Sequence, residues 1–298
     1  MPDTLTLGGS RVADAIGLGW SSPIRTFGEL TGKPGFARRD DDLSALGAMR
    51  LGRRLQPVIF AELNEDGYPC LEHEPDAPGY VVTDPARPWL IGHPDGHGIE
   101  SADGLVIEAK AQAYPHADLS AQVQTLVYMH LDGYSGGLIG TLAGLHVEAV
   151  ELPRDDEKIG RILVLLDRFW EHVESDKWPA PTGHPDDRGA IGDAYPAHEP
   201  GRKIRETRAV MEARRELRML NEQDGKHGAR TRRKAYLASV VTEHMGDAEL
   251  LISAHDEVVA RWPAYPSQRL DTKRLREDHP ELAEAYSSTT TSRRLTLS

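Results

Sequence analysis

Residues 88–112 read PWLIGHPDGHGIESADGLVIEAKAQ. Trp89, Leu90 and Ile91 form an apolar run that gives way to a Gly-rich interval around Pro94-Asp95. Leu105-Val106-Ile107, entered from Asp103-Gly104, is a second short apolar run after a turn, the pattern of a buried strand. Strand side chains alternate between faces, so Glu108 and Lys110 share one face and Ala109 takes the other. If the Asp95 segment pairs antiparallel with this strand, Asp95 meets that face. Two carboxylates and one ammonium then converge. Paired carboxylates with water make a hard oxygen site suited to Mg²⁺ or Mn²⁺. A metal there polarises a phosphoryl oxygen and helps to produce a hydroxide nucleophile. The lysine orients or deprotonates the attacking water, or stabilises charge in the transition state. The same letters also occur in an ordinary surface hairpin with a Glu-x-Lys pair, so the surroundings decide between the two readings.

With 298 residues the chain is long enough for one large domain or two smaller ones. Hydrophobic content of 39% supports a modest but adequate core. No run of eighteen apolar residues is present, so no membrane span is expected. The start, MPDTLTLGGS, lacks the basic-then-apolar order of a signal peptide. Cys70 is the only cysteine, which excludes an internal disulfide and a cysteine-rich zinc site and fits the reducing cytoplasm. The net charge of −12 argues against nucleic acid as a partner, but charge is unevenly placed. Residues 199–245 carry twelve Lys/Arg against seven acids, a local excess of +5. Local patches decide nucleic-acid contact more than the total does. A solvated helix face is the plainer account of that excess.

Outward from the central stretch, residues 9–33 read as a turn, a short helix, a Pro-containing loop and a second short helix. Ser10 stands at a helix start, where amides and a hydroxyl hold a phosphate or simply cap. A longer helix is expected over 41–64, with Leu43, Leu46, Met49, Leu55, Ile59 and Leu63 on one face and Pro57 kinking or restarting it. Residues 65–87 read as loop-rich, with a strand at Tyr80-Val81-Val82. Residues 117–132 read as a helix ended by Gly133. Its Gln122 and Gln124 are two apart, so only one of them can serve a site. Adjacent strands are expected over 136–143 and 145–152, then a helix over 155–176. The Pro-, Gly- and Asp-rich stretch 179–200 reads as a linker. Two polar helices, about 201–222 and 228–245, follow as a hairpin. A β-hairpin over 249–262 turning at Asp256, short helices near 271–277 and 280–286, and a last strand at 294–297 complete the reading. His93, His97 and His116 raise the thought of zinc, but a solvated loop is the preferred account of them.

Pro94-Asp95 with Glu108-Ala109-Lys110 resembles the PD-(D/E)xK nuclease signature. The wider set narrows the resemblance. GGSRVADAIGL at 8–18, GRRLQPVIFAEL at 52–63, GHPDG at 92–96, GLVIEAKA at 104–111 and AQVQTLVYMHLDG at 121–133 stand in the order and rough spacing of the YqaJ-like viral recombinase family. That family is related to phage lambda exonuclease. LDTKRLREDHPEL at 270–282 and STTTSRRLTL at 288–297 are similar to the family's ending.

The resemblance implies an α/β (α+β) fold with a restriction-endonuclease-like core: a central mixed sheet flanked by helices, with a mainly helical C-terminal extension. It divides the chain into a nuclease core over 1–178, a linker over 179–200 and an extension over 201–298. It implies a Mg²⁺-dependent (or Mn²⁺-dependent) deoxyribonuclease digesting one strand 5′ to 3′ from duplex DNA ends. Such an enzyme generates single strands for phage-type recombination in a bacterial cytoplasm. It further implies a single-strand annealing protein as partner, a homo-oligomer in the form of a ring trimer, and no membrane. Carried over by position, Asp95 and Glu108 bind metal, Lys110 positions or activates water, and Gln122 orients the site. Ser10, with Arg11 and His93 nearby, is matched to the 5′-phosphate and DNA-binding region. The family has a glutamate before the proline of the long helix; here it is Gln56, a weaker ligand in the metal shell. It has Ser or Thr before Pro94; here it is His93. The basic residue ahead of Gly-Gly-Ser is missing, with Arg11 the candidate replacement. A DNA-end-binding or assembly protein with a weakened nuclease, or an endonuclease on the same fold, stands as the alternative.

Overall fold

The computed structural model describes residues 5–36, 43–74, 81–99, 104–112, 118–222, 228–265 and 271–285. The chain divides into two compact units, Met1–Trp262 and Pro263–Ser298.

The first unit opens with β1 (Leu7–Gly8), a 3₁₀ turn (Gly9–Arg11), α1 (Val12–Ala15) and α2 (Pro23–Leu30). Ser22 caps α2 by accepting the Arg25 N–H at 3.2 Å, with Pro23 supplying a preset φ at the first helical position. α3 (Leu43–Glu65) runs through Pro57 as one helix rather than restarting there, with Pro57 on its exposed side. Ile59 and Leu63 are buried as expected; the side chains of Leu43, Leu46 and Met49 lie outside the described residues. Next come β2 (Cys70–Glu72), β3 (Val82–Asp84), β4 (Arg87–Gly92), β5 (Gly96–Gly98) and β6 (Leu105–Ala111). They are followed by α4 (Leu119–Asp132), β7 (Gly136–Ala143), β8 (His146–Pro153) and α5 (Asp156–Ser175). Asp118 caps α4 by accepting the Ala121 N–H, and Gly133 ends it at φ 74°, a left-handed conformation that glycine adopts without steric cost.

The fold is mixed α/β. A five-stranded sheet runs β2-β5-β6-β7-β8, parallel only between β6 and β7, where α4 makes the crossover. A small sheet, β1-β4-β3, lies in the same unit. Helices cover both faces of the large sheet. On one face Val106 packs with α4, α5 and α1 around Met129, Tyr128, Leu166 and Phe169. On the other, Ile107 and Leu138 pack with Ile59, Phe60 and Leu63 of α3. Two glycines of β7 allow this. A Cβ on Gly137 would stand 2.4 Å from Thr125 of α4, and one on Gly140 would stand 2.7 Å from Ile59 of α3.

The stretch 179–200 was expected as a linker, but it carries α6 (Asp187–Ala194). Ala190 and Ile191 are buried with Ile24 and Phe36, and Arg25 bonds Asp186 at 2.7 and 2.8 Å and Asp193 at 2.9 Å. Pro, Gly and Asp here make turns: Asp187 Oδ2 accepts the N–H groups of Thr182, Gly183 and His184 at 2.8–3.0 Å.

The polar helix expected from 201 begins later, because 199–205 is instead a strand, β9 (Glu199–Arg205). β9 runs parallel to β10 (Ala248–Ile252), which pairs antiparallel with β11 (Val258–Arg261) through the expected turn at Asp256, where φ is 60°. α7 (Arg208–Glu222) and α8 (Gly228–Met245) stand between β9 and β10 in sequence. Val210, Val241, Met245 and Leu251 form their core.

The second unit has α9 (Thr272–Asp278), capped by Asp271, and α10 (Pro280–Ala285). The strand expected at 294–297 lies outside the described residues. No helix among the described residues is long and apolar enough to cross a membrane.

Candidate active site

β6 carries the alternation read from its sequence. Ile107 and Ala109 face α3, while Val106 and Glu108 are buried on the other side, where Lys110 reaches Gln124 of α4. β5 pairs antiparallel with β6 (Gly96↔Ile107, His97↔Val106), which draws the preceding residue, Asp95, alongside β6. Asp95 Oδ2 accepts the Ala109 N–H at 2.8 Å, between Glu108 and Lys110. The trio read from sequence is therefore assembled.

Lys110 Nζ donates to Glu108 Oε1 at 2.6 Å and to Gln124 Oε1 at 3.0 Å. Glu108 is 2% exposed; no N–H or O–H donor meets its buried Oε2, and its bond to Asp95 requires a proton shared between the two carboxyls. Burial, then the neighbouring Asp95, push the Glu108 carboxyl up to about 8, against the pull of Lys110. Burial also pushes Asp95 up, opposed by the Ala109 N–H and by Lys110. Burial works against the Lys110 ammonium, but Glu108 and Asp95 outweigh it and raise its pKa. The two carboxyls and one ammonium thus fall one positive charge short of balance. A proton or a cation supplies it.

That imbalance is the test of fit for a divalent ion. An orphaned buried carboxylate oxygen beside a second carboxylate is a hard donor set with room in its electrostatics for a cation. From α3, Gln56 hydrogen-bonds Asp95 and so stands at the site as expected, bringing an amide where a carboxylate would add charge. Among the described residues no group of three or more His, Cys, Asp or Glu is placed to hold a metal. The residues fit one hard cation held by two carboxylates.

The glutamine bonded to Lys110 is Gln124, the second of the pair, whereas the sequence reading assigned Gln122. Gln124 is buried and its Nε2 donates to Tyr128 Oη at 3.0 Å; Gln122 is partly exposed on the same helix. Sequence alone missed two further neighbours. Glu72 lies close enough to Asp95 that burial first, and Asp95 second, raise its pKa. His73 donates its backbone N–H to the Asp95 carbonyl at 2.8 Å, and its Nε2 meets His97 Nδ1 at 2.6 Å. His97 lies on β5 between β2 and β6, paired with His73, rather than in a solvated loop. His93 is exposed, and His116 lies outside the described residues.

Parallel pairing of β1 with β4 (Leu7↔Leu90, Gly8↔Ile91) sets the Gly9–Arg11 turn beside the Gly92–Asp95 segment. Ser10 is exposed there. Arg11 bonds Glu29 at 2.6 Å, so its charge is already engaged.

In the basic segment, Arg202 pairs with Asp247, Arg205 with Asp256, Arg208 with Glu212, Arg214 with Glu206 and Arg233 with Glu216. Lys226 and the side chain of Arg230 lie outside what is described. Asp247 and Asp256 lie beyond 199–245 and offset two of its five excess positive charges; Glu206, Glu212 and Glu216 are already counted within it.

No family model matches the chain, and no curated protein matches it. Solved structures of an alkaline exonuclease from Laribacter hongkongensis, alone and in complex with dAMP, are similar to it at 18% and 19% identity. Each has a TM-score of 0.46 and covers 57% of this chain and 89% of the other. A phage-related exonuclease from Haemophilus somnus 129PT is similar at 16% identity and a TM-score of 0.37, over 58% of this chain and 96% of that one. The likeness extends over little more than half of the chain, at low identity.

Proposed function

We propose that this chain is a Mg²⁺-dependent deoxyribonuclease, an exonuclease that digests one strand 5′ to 3′ from duplex ends and leaves single strands for recombination. The observation that carries the reading is Glu108 Oε2, buried beside Asp95 with no N–H or O–H donor to meet it, and with Lys110 committed to the other Glu108 oxygen. The ordered sequence blocks from 8 to 133 support the same reading.

Asp95 and Glu108 would hold the ion, with Gln56 contributing an amide at the edge of the set. When bound, a divalent ion polarises the phosphoryl oxygen and acidifies water. The protein's own work lies in placement. Lys110, charged and held by Glu108 and Gln124, orients the attacking water and offsets charge as the phosphorus becomes five-coordinate. Gln124 fixes the lysine; Gln122 lines the same helix. Ser10, at the turn beside the Pro94-Asp95 segment, receives the terminal 5′-phosphate. We assign this chemistry to 1–178, with 201–298 as an extension that serves DNA or partner contact. An annealing protein and a ring of like subunits in a bacterial cytoplasm complete the proposal.

Gln56 favours a second reading, a DNA-end-binding protein whose cutting is weak. Linear duplex incubated with Mg²⁺ separates them. Release of nucleotides from 5′ ends supports the nuclease, whereas tight binding of ends with the duplex intact supports the binder. Degradation of a closed circle would instead indicate an endonuclease.

A further inference from the structure

Tyr128 lies within the AQVQTLVYMHLDG block, yet no role has been given to it. It is 2% exposed, in the middle of α4. Its ring fills the space that a side chain at Gly9 would need: a Cβ there would stand 2.2 Å from Cε1 and 2.7 Å from Oη. It also closes on Gly92, whose Cβ would stand 2.9 Å from Cδ1. The main chain of His93 bonds its hydroxyl. Two backbone segments, the Gly9–Arg11 turn and the strand end leading to Asp95, therefore rest on this ring.

The hydroxyl has a second role. The Lys110 ammonium has donors only, so it must meet the oxygen of the Gln124 amide, as it does at 3.0 Å. The amide nitrogen is thereby turned inward, where Tyr128 Oη is its acceptor at 3.0 Å. Gln124 is 5% exposed, and without that oxygen its N–H would be buried unsatisfied. The amide would then rotate, and Lys110 would lose the acceptor that holds it.

We propose that Tyr128 is a positioning residue that registers the 9–11 turn, the 92–95 segment and, through Gln124, the Lys110 ammonium on one buried side chain. This rests on the reading of Lys110 as the lysine of the nuclease site. Its consequence is that the surface proposed to meet the DNA end and the lysine proposed to act on it are mechanically one unit.

The test is competitive acylation of Lys110, read by mass spectrometry of its peptide, in the wild type, Tyr128→Phe, Gln124→Ala, the double variant and Gly9→Ala. Tyr128→Phe keeps the ring; a single cooperative melt and an unchanged circular dichroism spectrum check that the fold is kept, with the melting temperature lowered by the loss of the buried bond. It should raise Lys110 labelling about fivefold, the ratio expected for one lost hydrogen bond. Gln124→Ala should do the same, and the double variant no more than either, because the effects share one path. Gly9→Ala, which touches neither Lys110 nor Gln124, should raise it too. Unchanged labelling in Tyr128→Phe, or effects that multiply in the double variant, overturn the inference. On linear duplex, Tyr128→Phe should lower kcat about tenfold with KM unchanged; a change in KM alone would also overturn it. A wild type that never degrades DNA sinks the nuclease reading, while the labelling cycle still decides the role of Tyr128.

Discussion

The β6 strand and the α7–α8 hairpin both carry dense charge, and they treat it in opposite ways. On β6, Glu108 is buried beside Asp95 with one oxygen unmatched, and a single lysine faces both carboxyls. On the hairpin and its flanking strands, arginines lie mostly at the surface, and four of them form exposed pairs with acids. Exposed pairs of that kind contribute about 0–1 kcal/mol each and shape solubility and encounter more than fold. A buried unbalanced carboxylate costs several times more and persists where something else compensates. The contrast separates charge that the fold tolerates at a cost from charge that the surface carries freely.

The contrast breaks first at Lys110. Lys110→Ala should reduce cleavage of linear duplex by roughly 10³-fold or more, as for loss of a pre-organised charged donor. Wild-type rates in that variant would make the trio an ordinary ion cluster. The next effect concerns Glu108 and pH. An acid whose folded pKa is raised contributes its full stability below the unfolded value and loses it as pH rises towards the folded one. Metal-free protein should therefore lose roughly 2–4 kcal/mol between about pH 4.5 and pH 8, and Glu108→Gln should flatten that slope in chemical denaturation. Mg²⁺ or Mn²⁺ should raise the melting temperature more at pH 9 than at pH 5, since ligands must be deprotonated; an equal shift at both would count against the site.

A smaller effect tests a balanced buried carboxylate. Burial opposes the Asp84 charge, but His130, Arg87 at 2.9 Å and the Ala86 N–H hold its pKa down to about 2. Its stabilisation is present above the ordinary carboxylate range and lost as pH falls through about 2. Asp84→Asn should cost about 1–3 kcal/mol at neutral pH by denaturant melts. The smallest effect is expected on the hairpin. Replacing Arg232 and Lys234 by alanine should weaken DNA binding and reduce its salt slope by no more than about 2 if both meet phosphates, with stability unchanged. An unaltered slope would assign that face to bulk solvent.

Where one periodicity dominated, the sequence was legible. The alternation at 105–110 placed Glu108 and Lys110 on one face, and the helix expected over 155–176 is α5, buried along Ile159, Ile162, Leu166, Phe169 and Val173. Gly133 and Asp256 marked their turns. Legibility failed where the environment, not the local pattern, decides. α4 is buried on nearly all sides from Ala121 to Met129, so no apolar stripe marks which glutamine faces β6. Packing chose Gln124, and the i,i+4 partner Tyr128 was visible only once that face was known. β2 has three residues and β9 is rich in Gly, Pro and charge, so neither offered a strand signal strong enough to read. The 179–200 stretch has the composition of a linker because turns and linkers draw on the same residues; its buried Asp187 tells them apart only in three dimensions.

The bare positions of β7 have a further consequence. Gly137 and Gly140 remove material from opposite sides of one strand, so α4 and α3 close on the sheet at its thinnest part. The helices that carry Gln124 and Gln56 are therefore spaced by atoms that are missing. A single added methyl at either glycine would act as a shim, tilting one glutamine away from its partner without touching any residue of the site. The tolerance of this chemistry is set one strand away from where it occurs.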